Sequence, residues 1–201
     1  MDEHRYLDSN DECFYYGEFT AGMGFSHSET NQLIHNFKKT IDRKELPEWR
    51  YKEVAIKKIA ELIRNSLNKS LTITLVPTPP SKAKDDLLYD NRIPQALDLA
   101  CRNLDNIEFR ELVVQKTTLP PFHVSGNKLG PGELVEVYKI DSSLIAPAPE
   151  RIIVVDDVIT TGSHFKAMKT ILSKQYPNAL IKGIFIARRV PERLDPAVFE
   201  D

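Results

Sequence analysis

The sequence predicts an α/β fold with a mostly parallel central sheet flanked by helices. Three observations lead there. Short apolar runs rich in branched residues recur at 71–76, 109–114, 152–155 and 181–187. Amphipathic stretches at helical spacing separate them, and one apolar run passes directly into two acids, a small-residue turn and a helix-like pattern. Strands alternating with helices imply right-handed crossovers, and in such sheets ligands bind at the carboxyl ends of the strands.

Taken in order, Cys13 to Phe19 is aromatic-rich and reads as a short edge strand. Ser26-His-Ser-Glu29 has capping-box spacing, with Leu33, Ile34 and Phe37 following at helical offsets. A longer helix is predicted from about Glu48 to Leu67, its stripe formed by Val54, Ile56, Ile59, Ala60, Ile63 and Leu67, with the lysines and glutamates on a solvated face. Leu71 to Val76 alternates with threonine and stops at Pro77, as a strand entering a loop does. Pro94 to Leu104 reads as a helix with proline in its first turn. Phe109 to Val114 is a strand candidate, residues 115–133 a loop marked by Gly126, Gly130 and Gly132, and Ile181 to Ala187 the last strand.

The densest chemical signal is Ile152-Ile-Val-Val-Asp-Asp-Val-Ile-Thr-Thr-Gly-Ser163. Four apolar residues suit a strand buried on both faces. Asp156 and Asp157 fall where that strand is expected to end, and Thr160, Thr161, Gly162 and Ser163 precede an amphipathic run from Phe165 to Leu172. A small-residue turn entering a helix N-terminus gathers unpaired backbone N–H groups and the positive end of the helix dipole, which together form an anion site. Ionised carboxylates beside it only accept hydrogen bonds, so they suit the hydroxyls of a sugar joined to the phosphate. The ligand this implies is a ribose 5-phosphate.

Size and charge exclude several classes. A length of 201 residues suits one domain, with 1–47 read as a hood or N-terminal extension. A net charge of −2 leaves no basic nucleic-acid footprint. No apolar run approaches the ~18 residues that span a bilayer, and the N-terminus lacks a signal-peptide layout, so a cytoplasmic protein without membrane partners is expected. Cys13 and Cys101 lack zinc-ligand spacing and read as two free buried thiols.

Residues 152–163 resemble the 5-phosphoribosyl-1-pyrophosphate (PRPP) loop of the type I phosphoribosyltransferases. In that family the two acids hold the ribose 2′- and 3′-hydroxyls and the threonine-glycine turn wraps the 5′-phosphate. The resemblance implies the family's fold and assigns the ribose and 5′-phosphate to Asp156, Asp157, Thr160, Thr161, Gly162, Ser163 and His164. His164 stands where the family usually has a second Thr or Ser.

Pro77-Thr-Pro-Pro-Ser-Lys-Ala-Lys84 follows an early strand, where the family places its pyrophosphate loop, so Thr78, Ser81, Lys82 and Lys84 are expected to serve the leaving group. Lys116 to Tyr138 occupies the place of the family's flexible loop, with Lys116, His123 and Lys128 as cations offered to pyrophosphate. Within the family the chain is similar to the ComF-type branch. That branch carries Pro-Val-Pro-Leu, then Arg-Gly-Phe-Asn-Gln-Ala with Leu-Ala beyond it. Here Pro77-Thr-Pro-Pro80 stands for the first part, and Gln95-Ala96 with Leu99-Ala100 for the end of the second. Asn91-Arg-Ile-Pro94 replaces the Arg-Gly-Phe-Asn stretch, and the branch's cysteine-rich zinc module is missing, leaving Cys13 in its place.

The resemblance implies displacement of pyrophosphate from C1 of PRPP by a small nitrogenous acceptor, with Mg²⁺ carried mainly by substrate oxygens and no dedicated metal ligands. Asp156 and Asp157 would be the catalytic acids, positioning the ribose and stabilising oxocarbenium charge. The alternative of another class is a non-catalytic PRPP- or nucleotide-binding regulator, or a ComF-like partner in DNA uptake. A homodimer is left open, and nothing in the sequence marks the acceptor.

Overall fold

The computed structural model describes residues 4–118 and 129–191. Five parallel strands form the central sheet in the order β1-β7-β6-β2-β3, built from β1 (Cys13–Thr20), β2 (Ile73–Pro77), β3 (Ile107–Phe109), β6 (Arg151–Ile159) and β7 (Leu180–Val190). A separate two-stranded antiparallel hairpin joins β4 (Val113–Gln115) to β5 (Tyr138–Ile140). The helices are α1 (Glu29–Phe37), α2 (Trp49–Ser66), α3 (Arg92–Cys101), α4 (Pro131–Val137) and α5 (Ser163–Gln175). This is the α/β architecture expected from the strand–helix alternation.

Two cores sandwich the sheet. One face packs Ile34 and Phe37 of α1, Ile59 and Ile63 of α2 and Leu97 of α3 against Leu75 and Val155. The other packs Phe165, Met168 and Leu172 of α5, Leu134 of α4 and Val113 of the hairpin against Val76, Ile152 and Val154. Adjacent strand residues point to opposite faces, which explains why Val154 and Val155 enter different cores. The N-terminal residues read as a hood or extension supply the sheet's edge strand and α1, whose Ile34 and Phe37 are core residues.

Several boundaries differ from the sequence reading for identifiable reasons. Helix α1 is capped by Ser28, which accepts from Asn31 N–H at 3.0 Å, rather than starting at Ser26. Asn31 is fully buried and bonded to both Thr20 backbone groups, so it pins the helix start at that point. Val54 lies off the α2 stripe at 61% exposed, whereas Lys52, assigned to the solvated face, is 1% exposed. The strand expected over 109–114 is two strands in different sheets, because the chain leaves the central sheet after Phe109 and re-pairs with β5. The loop expected to run to 133 gives way to α4, entered by Gly130 with Pro131 in its first turn. Cys13 and Cys101 are free, as expected, but only half-buried; burial pushes Cys13 up to about 12 and Cys101 up to about 11.

The chain path fixes where a ligand can sit. From β2 it passes through α3 on one face to β3; from β6 it passes through α5 on the other face to β7. Loops leaving adjacent strands β2 and β6 therefore diverge, opening a crevice at their carboxyl ends, which is where open α/β sheets bind ligands.

Candidate functional site

The crevice is walled by the two segments singled out in the sequence. Pro77 pairs with Val155, and Thr78 N–H donates to Val155 O at 2.9 Å, so the proline loop and the acid pair share the carboxyl end of the sheet. The strand does not end at the acids. Val158 and Ile159 continue pairing with Ala187 and Arg188 of β7, because the apolar residues after the acids still find core. Asp156 and Asp157 are therefore consecutive strand residues and project to opposite faces.

Asp157 faces the α1–α3 layer and is 7% exposed. Arg92 Nη2 donates to its Oδ2 at 2.6 Å, and Lys38 Nζ to its Oδ1 at 3.1 Å. The same Oδ1 accepts Val158 N–H at 2.7 Å. Arg92 Nη1 reaches Asp90 Oδ2 at 2.7 Å, and that oxygen also accepts Lys52 Nζ at 2.7 Å. Two acids and three cations thus form one chain of ion pairs beneath the crevice. Burial alone would raise the Asp157 carboxyl, but Lys38 and Arg92 outweigh it and hold Asp157 well below the usual carboxylate range. Burial likewise pulls the Lys52 ammonium down, against the charge of Asp90.

Asp156 has the opposite electrostatics. Burial, and next the negative charge of Asp157, push its carboxyl up to about 7. Its Oδ1 accepts the Asp157 N–H at 2.7 Å. Across from it on β5 lies Tyr138, whose hydroxyl is raised by burial and then by the charge of Asp156. The Tyr138 hydroxyl also meets His164 Nδ1 at 2.8 Å, so the His164 side chain is turned toward the hairpin.

The turn between β6 and α5 has the expected form. Gly162 is the N-cap residue with φ +83°, and it provides no side-chain acceptor for the first turn of the helix. That leaves backbone N–H groups available to an external anion. Ser163 is buried and accepts from Thr161 Oγ1 at 3.3 Å, while Thr160 and Thr161 are half-buried. No acidic residue occupies the first turn of α5, so nothing there opposes a phosphate.

On the proline loop Thr78 is buried and Ser81 exposed. Lys82 is paired with Asp86 at 3.6 Å and Lys84 with Glu111 at 3.1 Å. The loop leans on the segment after β4, where Thr118 Oγ1 accepts Ala83 N–H at 3.1 Å and donates to Asp86 at 2.8 Å. Thr78 Oγ1 and Gln115 Nε2 are buried without a protein partner among the described residues. Both line a cavity of about 10 Å³ beneath the loop, the size of one water molecule. Lys116 is exposed, its Nζ donating to Glu136 O at 2.6 Å. His123 and Lys128 lie outside the described residues.

No protein-family model matches the chain, and neither does any curated protein. The reading of the site therefore rests on its own geometry. That geometry adds residues the sequence did not flag. Arg92 belongs to the stretch that departs from the ComF-type pattern, Lys52 to the helix face expected to be solvated, and no site role is expected for Lys38 or Asp90 from the sequence. Their signal is three-dimensional: Lys38 and Asp157 are 119 positions apart.

Proposed function

We propose that this chain has the type I phosphoribosyltransferase fold, of the ComF-type branch, and binds PRPP in the crevice between β2 and β6. The observation that carries this reading is the glycine-capped turn at Thr160–Ser163, opening α5 directly after the acid pair and beside the Pro77 loop. The 5-phosphate takes the amides and hydroxyls of that turn. The ribose lies over the strand end, where Asp156 is the carboxylate without an ion pair among the described residues. Asp157 contributes from behind: its charge is already matched by Arg92 and Lys38, so it fixes the strand end rather than meeting the sugar.

The reaction is transfer of the phosphoribosyl group from PRPP to a nitrogen acceptor, with pyrophosphate leaving toward Thr78, Ser81, Lys82 and Lys84. Positive charge developing at C1 is favoured by the ionised form of Asp156. Among the described residues no three acids, histidines or cysteines converge as a metal cage. The donor set fits an Mg²⁺ that arrives on pyrophosphate and ribose oxygens, with Asp156 able to add one oxygen, and the metal would neutralise the leaving group's charge. No helix among the described residues is long and apolar enough to cross a membrane.

A second reading is a PRPP- or nucleotide-binding regulator. It is favoured by the ion pairs that already engage Lys82 and Lys84 in the pyrophosphate loop. Incubation with PRPP, Mg²⁺ and a panel of nitrogenous acceptors separates the two. Acceptor-dependent pyrophosphate release supports transfer; saturable PRPP binding without release supports the regulator; neither binding nor release contradicts both.

A further inference from the structure

The segment before β1 lies along the back of the Thr160–Ser163 turn and touches three successive residues of it. His4 Nδ1 meets Thr160 O at 2.5 Å, and since a carbonyl only accepts, Nδ1 is the donor. Tyr6 N–H donates to Thr161 O at 3.0 Å. The Leu7 side chain fills the space beside Gly162, where an added Cβ would lie 2.6 Å from Leu7 Cδ2. The segment is itself anchored on α5. Lys166 Nζ reaches Asp8 at 2.7 Å and Asp11 at 2.8 Å, and Lys169 Nζ reaches Asp11 at 2.7 Å.

In a planar trans peptide the C=O and the following N–H point in opposite directions. Holding the Thr160 and Thr161 carbonyls on the back of the turn therefore directs the Thr161 and Gly162 N–H groups to its front. We propose that His4, Tyr6 and Leu7 are positioning residues that aim the amides of the anion loop, so that phosphate affinity depends on a segment that never touches the ligand. This rests on the reading of 160–163 as a phosphate site. The segment also places Asp8 and Asp11 on Lys166 and Lys169, holding two cations of α5 to its own acids rather than to a bound anion.

The test uses the full chain with ribose 5-phosphate as probe. His4→Leu removes the donor, His4→Asn restores a donor near the Nδ1 position, and Leu7→Ala empties the space beside Gly162. Dissociation constants are measured by titration calorimetry, and amide hydrogen exchange at Tyr6, whose N–H is bonded to Thr161 O, is followed without ligand. Loss of one such hydrogen bond corresponds to roughly five- to tenfold. His4→Leu and Leu7→Ala should weaken binding and speed exchange by about that factor, with His4→Asn staying within about threefold of the wild type. Thermal midpoints of the two His4 variants should agree, which a merely structural role of the ring would not give. Wild-type binding with variants inside twofold, or unchanged exchange, overturns the positioning role and leaves the phosphate site standing. Wild-type protein that ignores millimolar ribose 5-phosphate overturns both.

Discussion

Arg92 and Asp157, 65 positions apart, are joined by a 2.6 Å bond from Nη2 to Oδ2, with the other guanidinium nitrogen on Asp90 at 2.7 Å. The N-terminus of α3 is thereby tied to the strand carrying the candidate site. A planar fork can engage two carboxylates at once, which a single ammonium does in neither the same geometry nor the same strength.

Replacing Arg92 should therefore cost stability out of proportion to its position at a helix start. Arg92→Met leaves Asp157 buried beside Lys38 alone, and removing one partner of a buried pair costs about 3–5 kcal/mol. Arg92→Lys should recover part of that loss. Chemical denaturation of the three proteins checks it, and an Arg92→Met protein as stable as wild type would show that the network is ornamental.

The two acids should respond differently to amidation. Asp157→Asn breaks a matched network and should lower stability by about 2–4 kcal/mol at neutral pH. Asp156→Asn removes a charge that burial and Asp157 disfavour, and should leave stability unchanged or raise it, while weakening PRPP binding by about 1–3 kcal/mol. Paired melting and binding measurements decide; equal stability losses at both positions would contradict the opposite-face geometry.

The pH dependence has a definite sign. Asp156 is raised from 3.8 to about 7, so between those values the folded state holds a proton that the unfolded chain has lost. Its contribution is full below pH ~4 and is lost as pH rises toward 7. Asp157 is lowered, so its contribution is present above the unfolded value of 3.8 and is lost as pH falls below it. Asp156→Asn should flatten the stability profile between pH ~4 and 7 and raise stability at pH 8. Unfolding free energies measured across that range test this, and an unaltered slope in the variant would refute it.

Gly162 is a sharper test of the turn. Its φ of +83° is a conformation that side chains rarely adopt, and Leu7 occupies the space a Cβ needs. Gly162→Ala should destabilise by about 1–3 kcal/mol. It should weaken ribose 5-phosphate binding as well, because Leu7 must move. A variant matching wild type in both measurements would mean that the turn relaxes freely.

Much of this architecture was legible in the chain. Apolar runs such as Ile152–Val155 and the helical stripe through Ile59 and Ile63 mark a layered α/β fold, because burial imposes periodicity locally. Gly162 after two threonines marks the turn for the same local reason. Where tertiary contacts outrank local pattern, the reading failed. Lys52 looks like any helix-surface lysine until Asp90 meets it, and β4 is distinguishable from β3 only through its partner Tyr138. The opposed directions of Asp156 and Asp157 follow from strand pairing that continues to Ile159, which depends on β7 rather than on the motif itself.

Phosphate binding at the Thr160–Ser163 turn is read residue by residue in an amide chemical-shift titration of the full chain with ribose 5-phosphate. Saturable shifts should concentrate at Thr160–Phe165 and at Asp156, with the amino-terminal end of the sheet around Phe14 and Leu180 silent. Absence of shifts at millimolar ligand, or shifts that leave the Thr160–Ser163 turn untouched, would contradict the phosphate site.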